Sequence, residues 1–370
     1  MKKFIIIVTS LILAVVLLSV GVLFGVYQWQ SIEYDKAVAL LEKGEYEEAY
    51  KIFKTIEIYE DTEEYLDKFY FFTVSTSRQV NGKVKGADFL FNEQGFPYKL
   101  HTYRIDGKSA DYEFLFDEKG YVIGYTATDY DGTRFEYTYV YDDEGKLTAL
   151  ISSNVTDVYP SCEYFYNEQG LQYKTVYNYP EGQNQIYEII YSDDCKYIVG
   201  EIVTDRDGAE TEYEYRYDSD GNRIRTVVTY ADGSQDTIEN TYNQFGYLMK
   251  EVFTSYDGVQ EITEYTCDIS GYPVKIVCTD SLGKHEVAEC TYDKNGNLLK
   301  AVATNENGQQ DILENTYDSF GNRTKEVYID VDGNEFVTET EYKLVYIPIE
   351  LSDSARENII SLNIISWSDD

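Results

Sequence analysis

Basic side chains, cysteine, proline, histidine and tryptophan are all scarce in this chain of 370 residues, and each shortage removes a class of explanation. Lys and Arg number 31 against 67 Asp and Glu, a net charge of −36; such a field repels nucleic acid and anionic cell-surface polymers. The same acidity keeps a large sheet soluble and unaggregated whatever its partners are. Five cysteines, Cys162, Cys195, Cys267, Cys278 and Cys290, are too few and too scattered for a disulfide framework. If Leu282 and Gly283 form a two-residue turn, Cys278 and Cys290 miss each other by roughly 10 Å along the strand, beyond disulfide reach. All five read as small core or surface residues. The two histidines, His101 and His285, fall in no Ser/His/Asp or metal-binding spacing. Carboxylates are so many that pairing them for glycosidase chemistry is arbitrary. The chain is read as no enzyme and as needing no cofactor.

What is present is periodic. Glycine recurs every 25 residues at Gly95, Gly120, Gly145 and Gly170, then, after one step of 26, from Gly221 to Gly321. A second comb, offset by half a period, includes Gly107, Gly132, Gly208, Gly233, Gly258, Gly283, Gly308 and Gly333. Between the glycines apolar and polar residues alternate: Tyr213, Tyr215 and Tyr217 with Glu212, Glu214 and Arg216. That is a strand period with one aromatic face, and the 39 tyrosines suit it. Asp131-Gly132 and its equivalents read as two-residue type I′ turns. The other comb reads aromatic, Asp or Asn, two free residues, glycine, with the acid or amide capping the turn. Alternating turns predict a continuous antiparallel β-meander of up to 22 strands, coiled or single-layer, over residues 80–346. The one extra residue, between Cys195 and Gly208, predicts a β-bulge near Gly200. Residues 347–370 alternate poorly and read as a C-terminal cap.

The amino-terminal part differs. Phe4 to Tyr27 is 24 residues without a charge, preceded by Lys2 and Lys3. It reads as a transmembrane signal anchor with residues 1–3 in the cytoplasm and everything after Trp29 outside; a cleaved signal peptide is the alternative. Without those two lysines the outer portion carries 29 basic against 67 acidic side chains, a net charge of −38. Over residues 31–72, Ala37, Leu40, Leu41, Ala49, Ile52, Phe53 and Ile56 recur at helical spacing, interrupted at Gly44, which predicts a helical hairpin.

Gly44-Glu45-Tyr46-Glu47-Glu48-Ala49, with Phe53 four positions on, resembles the helical hairpin of tetratricopeptide repeats. At most one and a half repeats are present, so a stalk or docking cap is expected rather than a peptide groove. The tuple aromatic-Asp-x-x-Gly-Asn in Tyr217 to Asn222, Tyr292 to Asn297 and Tyr317 to Asn322 resembles the YD repeats of bacterial Rhs proteins and the related teneurins. That resemblance implies a coiled meander displayed at a cell surface. It transfers no catalytic residue, and no terminal toxin is expected.

Alternate carboxylates before a glycine, Asp205/Asp207, Asp218/Asp220 and Asp330/Asp332, are the only metal candidates, weak ones for calcium. The turn itself already demands Asp-Gly. The resulting expectation is a bacterial, single-pass plasma-membrane protein whose extracytoplasmic repeat domain acts as a surface display and binding scaffold. Its partners would be the membrane, and glycans or a protein ligand at the cell surface. The alternative is the carrier or accessory shell of a toxin-delivery system.

Overall fold

A computed structural model describes residues 29–347, apart from 58, 60, 81–82, 94, 157–159 and 183. The expected cytoplasmic tip, the anchor at 4–27 and the cap beyond residue 347 lie outside the described residues. The chain divides into two compact units, one of residues up to Phe72 with Asn92–Phe96 and Lys343–Glu350, the other holding most of the remainder.

In the first unit, helix α1 covers residues 29–42 and ends at Gly44, whose φ of +76° is the left-handed conformation that suits glycine. Helices α2 (Tyr46–Thr55) and α3 (Thr62–Leu66) follow. Helices α1 and α2, joined through Gly44, fall within the span of the expected hairpin. Helix gives way to strand at Phe69, earlier than expected, where a run of aromatic and β-branched residues begins. Ala37, Ala49, Phe53, Phe69 and Leu344 form the core, and the Phe53 ring stacks on Tyr65 at 5.0 Å. The Tyr34 hydroxyl donates to Asp61, and burial is the main reason its pKa is raised.

Among the described residues, twenty-two strands make one sheet. They are β1 (Phe69–Val80), β2 (Lys83–Phe91), β3 (Pro97–Tyr103), β4 (Ser109–Phe116), β5 (Val122–Thr128), β6 (Arg134–Tyr141), β7 (Leu147–Ser152) and β8 (Ser161–Tyr166). Next come β9 (Gln172–Asn178), β10 (Asn184–Tyr191), β11 (Ile198–Thr204), β12 (Glu210–Tyr217), β13 (Arg223–Thr229), β14 (Gln235–Tyr242) and β15 (Leu248–Thr254). The last are β16 (Gln260–Cys267), β17 (Pro273–Thr279), β18 (His285–Tyr292), β19 (Leu298–Thr304), β20 (Gln310–Tyr317), β21 (Arg323–Ile329) and β22 (Glu335–Tyr346). Each strand pairs antiparallel with its successor, and β1 also pairs with β22. The meander is thus closed into a barrel. Across the seam the Thr76 and Thr340 hydroxyls lie 3.2 Å apart, and Arg78 sits over the Phe336 ring.

Turns of both glycine combs take one form, that at Gly182 excepted, where Glu181 also has positive φ, and this corrects the type I′ expectation. Gly132 N–H donates to Asp129 O at 2.8 Å while Asp129 N–H donates to Thr133 O at 2.9 Å. Gly296 with Asp293, and Asp293 with Asn297, repeat that pattern at 3.2 and 2.9 Å. This is a type I turn followed by one left-handed residue, and among the described residues only Glu181 and Cys195 take positive φ without being glycine. Type I′ would have needed positive φ at the preceding Asp as well.

Bulges also differ from expectation. Ten hairpins, not one, shift register before the last residue of their even strand, as where Arg216 faces Arg225 but Tyr217 faces Arg223. The extra residue near Cys195 lies in the turn itself, where Ser192 N–H reaches Tyr197 O and Cys195 takes φ +56°.

A regular slip runs through the sheet. Arg216 faces Arg225, which faces Glu239, 23 positions on, although the repeat is 25. Each hairpin therefore slides by two residues, which over two strand spacings corresponds to a tilt of about 35°.

Candidate functional site

The pleat gives the barrel wall two faces. On one, Lys or Arg of an odd strand meets Glu of the next: Lys99–Glu113 at 3.1 Å, Lys174–Glu188 at 3.0 Å, Lys300–Glu314 at 2.7 Å and Lys325–Glu339 at 3.4 Å. Beside this ladder runs an aliphatic row, in which Val252 faces Ile262 and Val302 faces Ile312. A third row pairs Gln235 with Thr229 at 2.9 Å and Gln260 with Thr254 at 3.1 Å. The sequence reading missed these rows because the expected two-residue turn shifts every facing pair by one residue, and the true partners meet only across the longer turn.

The other face carries the aromatic stripe. From β2 to β6 it buries Phe89, Leu100, Phe114, Ala127, Phe135 and Tyr137. Register carries that face on to Asp236, Glu251, Glu261, Glu286 and Asp311, so acids replace aromatics in the later strands. Both faces thus hold ionisable side chains.

At the rim with the Asp-x-x-Gly turns, the tyrosine closing an even strand bolts down its neighbour. Hydroxyls of Tyr141, Tyr166, Tyr191, Tyr217, Tyr242, Tyr292 and Tyr317 each donate to the carbonyl 19 residues earlier, at 2.7–3.1 Å. Phe91, Phe116 and Cys267 occupy the same place without a hydroxyl to donate.

The tuple Asp-x-x-Gly-Asn has a local cause. Asp293 Oδ1 accepts the backbone N–H of Asn295 and Asn297, at 2.8 and 2.9 Å, while Oδ2 accepts the Asn297 amide at 2.9 Å. The side-chain bond from that Asn, then the turn amides, hold the Asp293 carboxyl below its usual range, and Asp218 and Asp330 are lowered in the same way.

The metal candidates fall in such turns. Asp218 and Asp330 each accept three hydrogen bonds within their own turn, and Asp207 accepts Ala209 N–H. Asp205 lies 3.3 Å from the Gln185 amide, and among the described residues none hydrogen-bonds the side chains of Asp220 or Asp332. Among the described residues no group of three or more His, Cys, Asp or Glu is placed to hold a metal ion.

His101 Nδ1 stands 3.0 Å from Asp111 on the ladder face, and His285 Nδ1 stands 3.1 Å from Gly283 O at a turn; the two are not brought together. All five cysteines are free, with Cys162 buried. Cys278 faces Glu286, because the turn is one residue longer than the expected pair.

No family model matches this chain, and no curated protein does. Among solved structures it is similar to a porin-like protein from Bacteroides uniformis, at 11% identity over 74% of this chain and 97% of the other, with a TM-score of 0.31. It is also similar to a porin-like protein from Bacteroides vulgatus, at 9% identity over 74% and 99%, with a TM-score of 0.23.

The Rhs/teneurin and tetratricopeptide resemblances are corrected: no family model supports either, and the meander closes into a barrel through the pairing of β1 with β22. The surface display scaffold and its alternative, the toxin-delivery shell, rested on that resemblance and fall with it. The single-pass plasma-membrane placement is corrected too. Residues 4–27 lie outside the described residues, and no helix among the described residues is long and apolar enough to cross a membrane. At such TM-scores neither the setting nor the activity of the porin-like proteins is carried over.

Proposed function

We propose that the closed sheet is the wall of a water-filled passage for hydrophilic solutes, with no catalytic step and no cofactor of its own. Closure between β1 and β22 is the observation that supports this most. Twenty-two strands about 4.8 Å apart make a circumference of roughly 105 Å, and so a backbone diameter of at least about 34 Å, too wide for side chains to fill. Because both faces carry ionisable groups, the bore is wet whichever face lines it. An excess of 67 acidic over 31 basic side chains favours cations within it. Most strands have seven or eight residues, fewer than the roughly nine to eleven of a bilayer-spanning strand, so the reading rests on closure and not on a lipid-facing band.

The test labels one cysteine on each face, Glu261→Cys and Thr237→Cys, in a chain whose five native cysteines are replaced by alanine, with maleimides carrying polyethylene glycol of increasing size. The face lining the bore should accept small reagents readily and lose reactivity with large ones, while the outer face accepts all. Negative-stain images should show rings with stain-filled centres. A bore-facing thiol closed to small reagents, or particles that are solid or unclosed, overturns the proposal.

A further inference from the structure

Exposure differs between the two faces in one sense all round the sheet. On the even strands from β2 to β20 the next-to-last residue, on the ladder face, is exposed whether it is Leu115 at 54% or Thr316. The residue before it, on the aromatic face, is buried or half-buried whether it is Phe114 at 8% or Asn315 at 9%. Side-chain chemistry does not set this order, since leucine is the exposed residue and asparagine the buried one. Curvature does: at a backbone radius of roughly 17 Å, side chains on a concave face converge and shade one another, and those on a convex face splay.

The two faces also differ in charge. From β3 to β21 every Lys and Arg of the strands lies on the ladder face, except Arg223 and Arg323, which open β13 and β21 at the rim opposite Tyr217 and Tyr317. The aromatic face carries no charged side chain in the strands from β3 to β10, then Glu201, Asp236, Glu251, Glu261, Glu286 and Asp311. Among the described residues none of these six has a basic partner. Where the register adds a seventh acid, Glu326, the Arg323 guanidinium donates to it. Leu248 stands at the corresponding place before Glu251. Two amide oxygens on this face, Asn240 Oδ1 and Asn315 Oδ1, are buried and accept no hydrogen bond, and their residues face Glu251 and Glu326. A buried acceptor beside a carboxylate calls for a cation that carries N–H groups.

Given the passage proposed above, we infer that the aromatic face lines the bore and that its acidic arc takes small ammonium and guanidinium cations, with Glu251 and Glu261 together holding one of them. Glu261 faces Phe253, two residues beyond Glu251, which sets the two acids diagonally about 7–8 Å apart, within reach of both ends of a short diamine. The Arg323–Glu326 pair is the chain's own version of that contact.

The experiment measures putrescine binding to the full chain by calorimetry at low salt. Glu251→Gln/Glu261→Gln should weaken it about fivefold or more, since two charge contacts are lost. Glu239→Gln/Glu264→Gln, which changes the net charge equally but on the ladder face, should leave it unchanged. Hexamethylated putrescine, equal in charge but without N–H groups, should bind the unaltered chain more weakly. No binding, equal losses in the two double variants, or equal binding of the methylated diamine overturns the inference. Labelling at Glu261→Cys and Thr237→Cys separates its failure from that of the passage. A size limit at Thr237→Cys alone keeps the passage and overturns the face assigned here, and a size limit at neither overturns both.

Discussion

The Tyr217 hydroxyl donates to the Ile198 carbonyl at 2.7 Å, tying the last residue of β12 to the first of β11 at the rim where the turn leaves backbone groups without ladder partners. Tyr217→Phe removes that donor alone. Loss of about 1 kcal/mol is expected, read as a lower denaturant midpoint with unchanged slope. Cys267→Tyr, which supplies the missing bolt, should raise the midpoint. An unaltered midpoint in both variants shows the bolt to be idle.

Two glycines separate conformational strain from collision. Gly308, at φ +76°, has open space where a Cβ would go, while at Gly296, at φ +87°, a Cβ would strike the Tyr272 ring. Gly308→Ala should cost about 1–2 kcal/mol, the penalty for a left-handed residue with a side chain. Gly296→Ala should cost more. Thermal unfolding of the two variants side by side gives the order, and equal losses show that Tyr272 moves aside freely.

Cys195 takes the left-handed conformation, φ +56°, that glycine fills at the equivalent turns. Cys195→Gly should therefore stabilise the barrel by about 1 kcal/mol. A fall in melting temperature contradicts that account of the turn.

Acid should loosen the turns. The carboxyls of Asp218, Asp293 and Asp330 have folded-state pKa values below their unfolded ones. Their stabilisation is therefore complete above the unfolded carboxylate range, near pH 4, and disappears as pH falls through the depressed values. Melting temperature followed from pH 6 down to pH 2 should decline. Asp293→Asn should make that decline shallower, since Asn caps the equivalent turns at Asn92, Asn167, Asn243 and Asn305.

Salt should stabilise, despite the ion-pair ladder. Exposed pairs such as Lys300–Glu314 contribute roughly 0.2–1 kcal/mol each and weaken when screened, but the repulsion of 67 acids against 31 bases is screened as well. Melting temperature at 0.5 M NaCl should exceed that at low ionic strength. The reverse result means that attraction along the ladder outweighs the repulsion among the acids.

Much of the fold was legible because its signals are local. Glycine spacing, the Asp or Asn before each turn, and the alternation of Tyr213, Tyr215 and Tyr217 mark turns and strands within a few residues of where they act. What escaped depends on register. Whether Tyr130 belongs to a strand or to the turn beside Asp131 decides between two turn types, and nothing adjacent in the chain settles it. The Lys300–Glu314 pair needs the length of the turn centred on Asn307 before it can be seen, and the meeting of Thr76 with Thr340 has no nearby signal at all. The family likeness failed for a related reason: the Asp293, Gly296 and Asn297 tuple follows from hydrogen bonding inside one turn, and unrelated chains with that turn can arrive at it separately.

The constant slide of two residues per hairpin leaves the lean of the wall independent of how many hairpins there are. Duplicating or deleting one 25-residue unit would lengthen or shorten the circumference in even increments without disturbing any neighbour's angle. The gene thus holds a ready means of resizing the aperture by unequal recombination, one copy at a time.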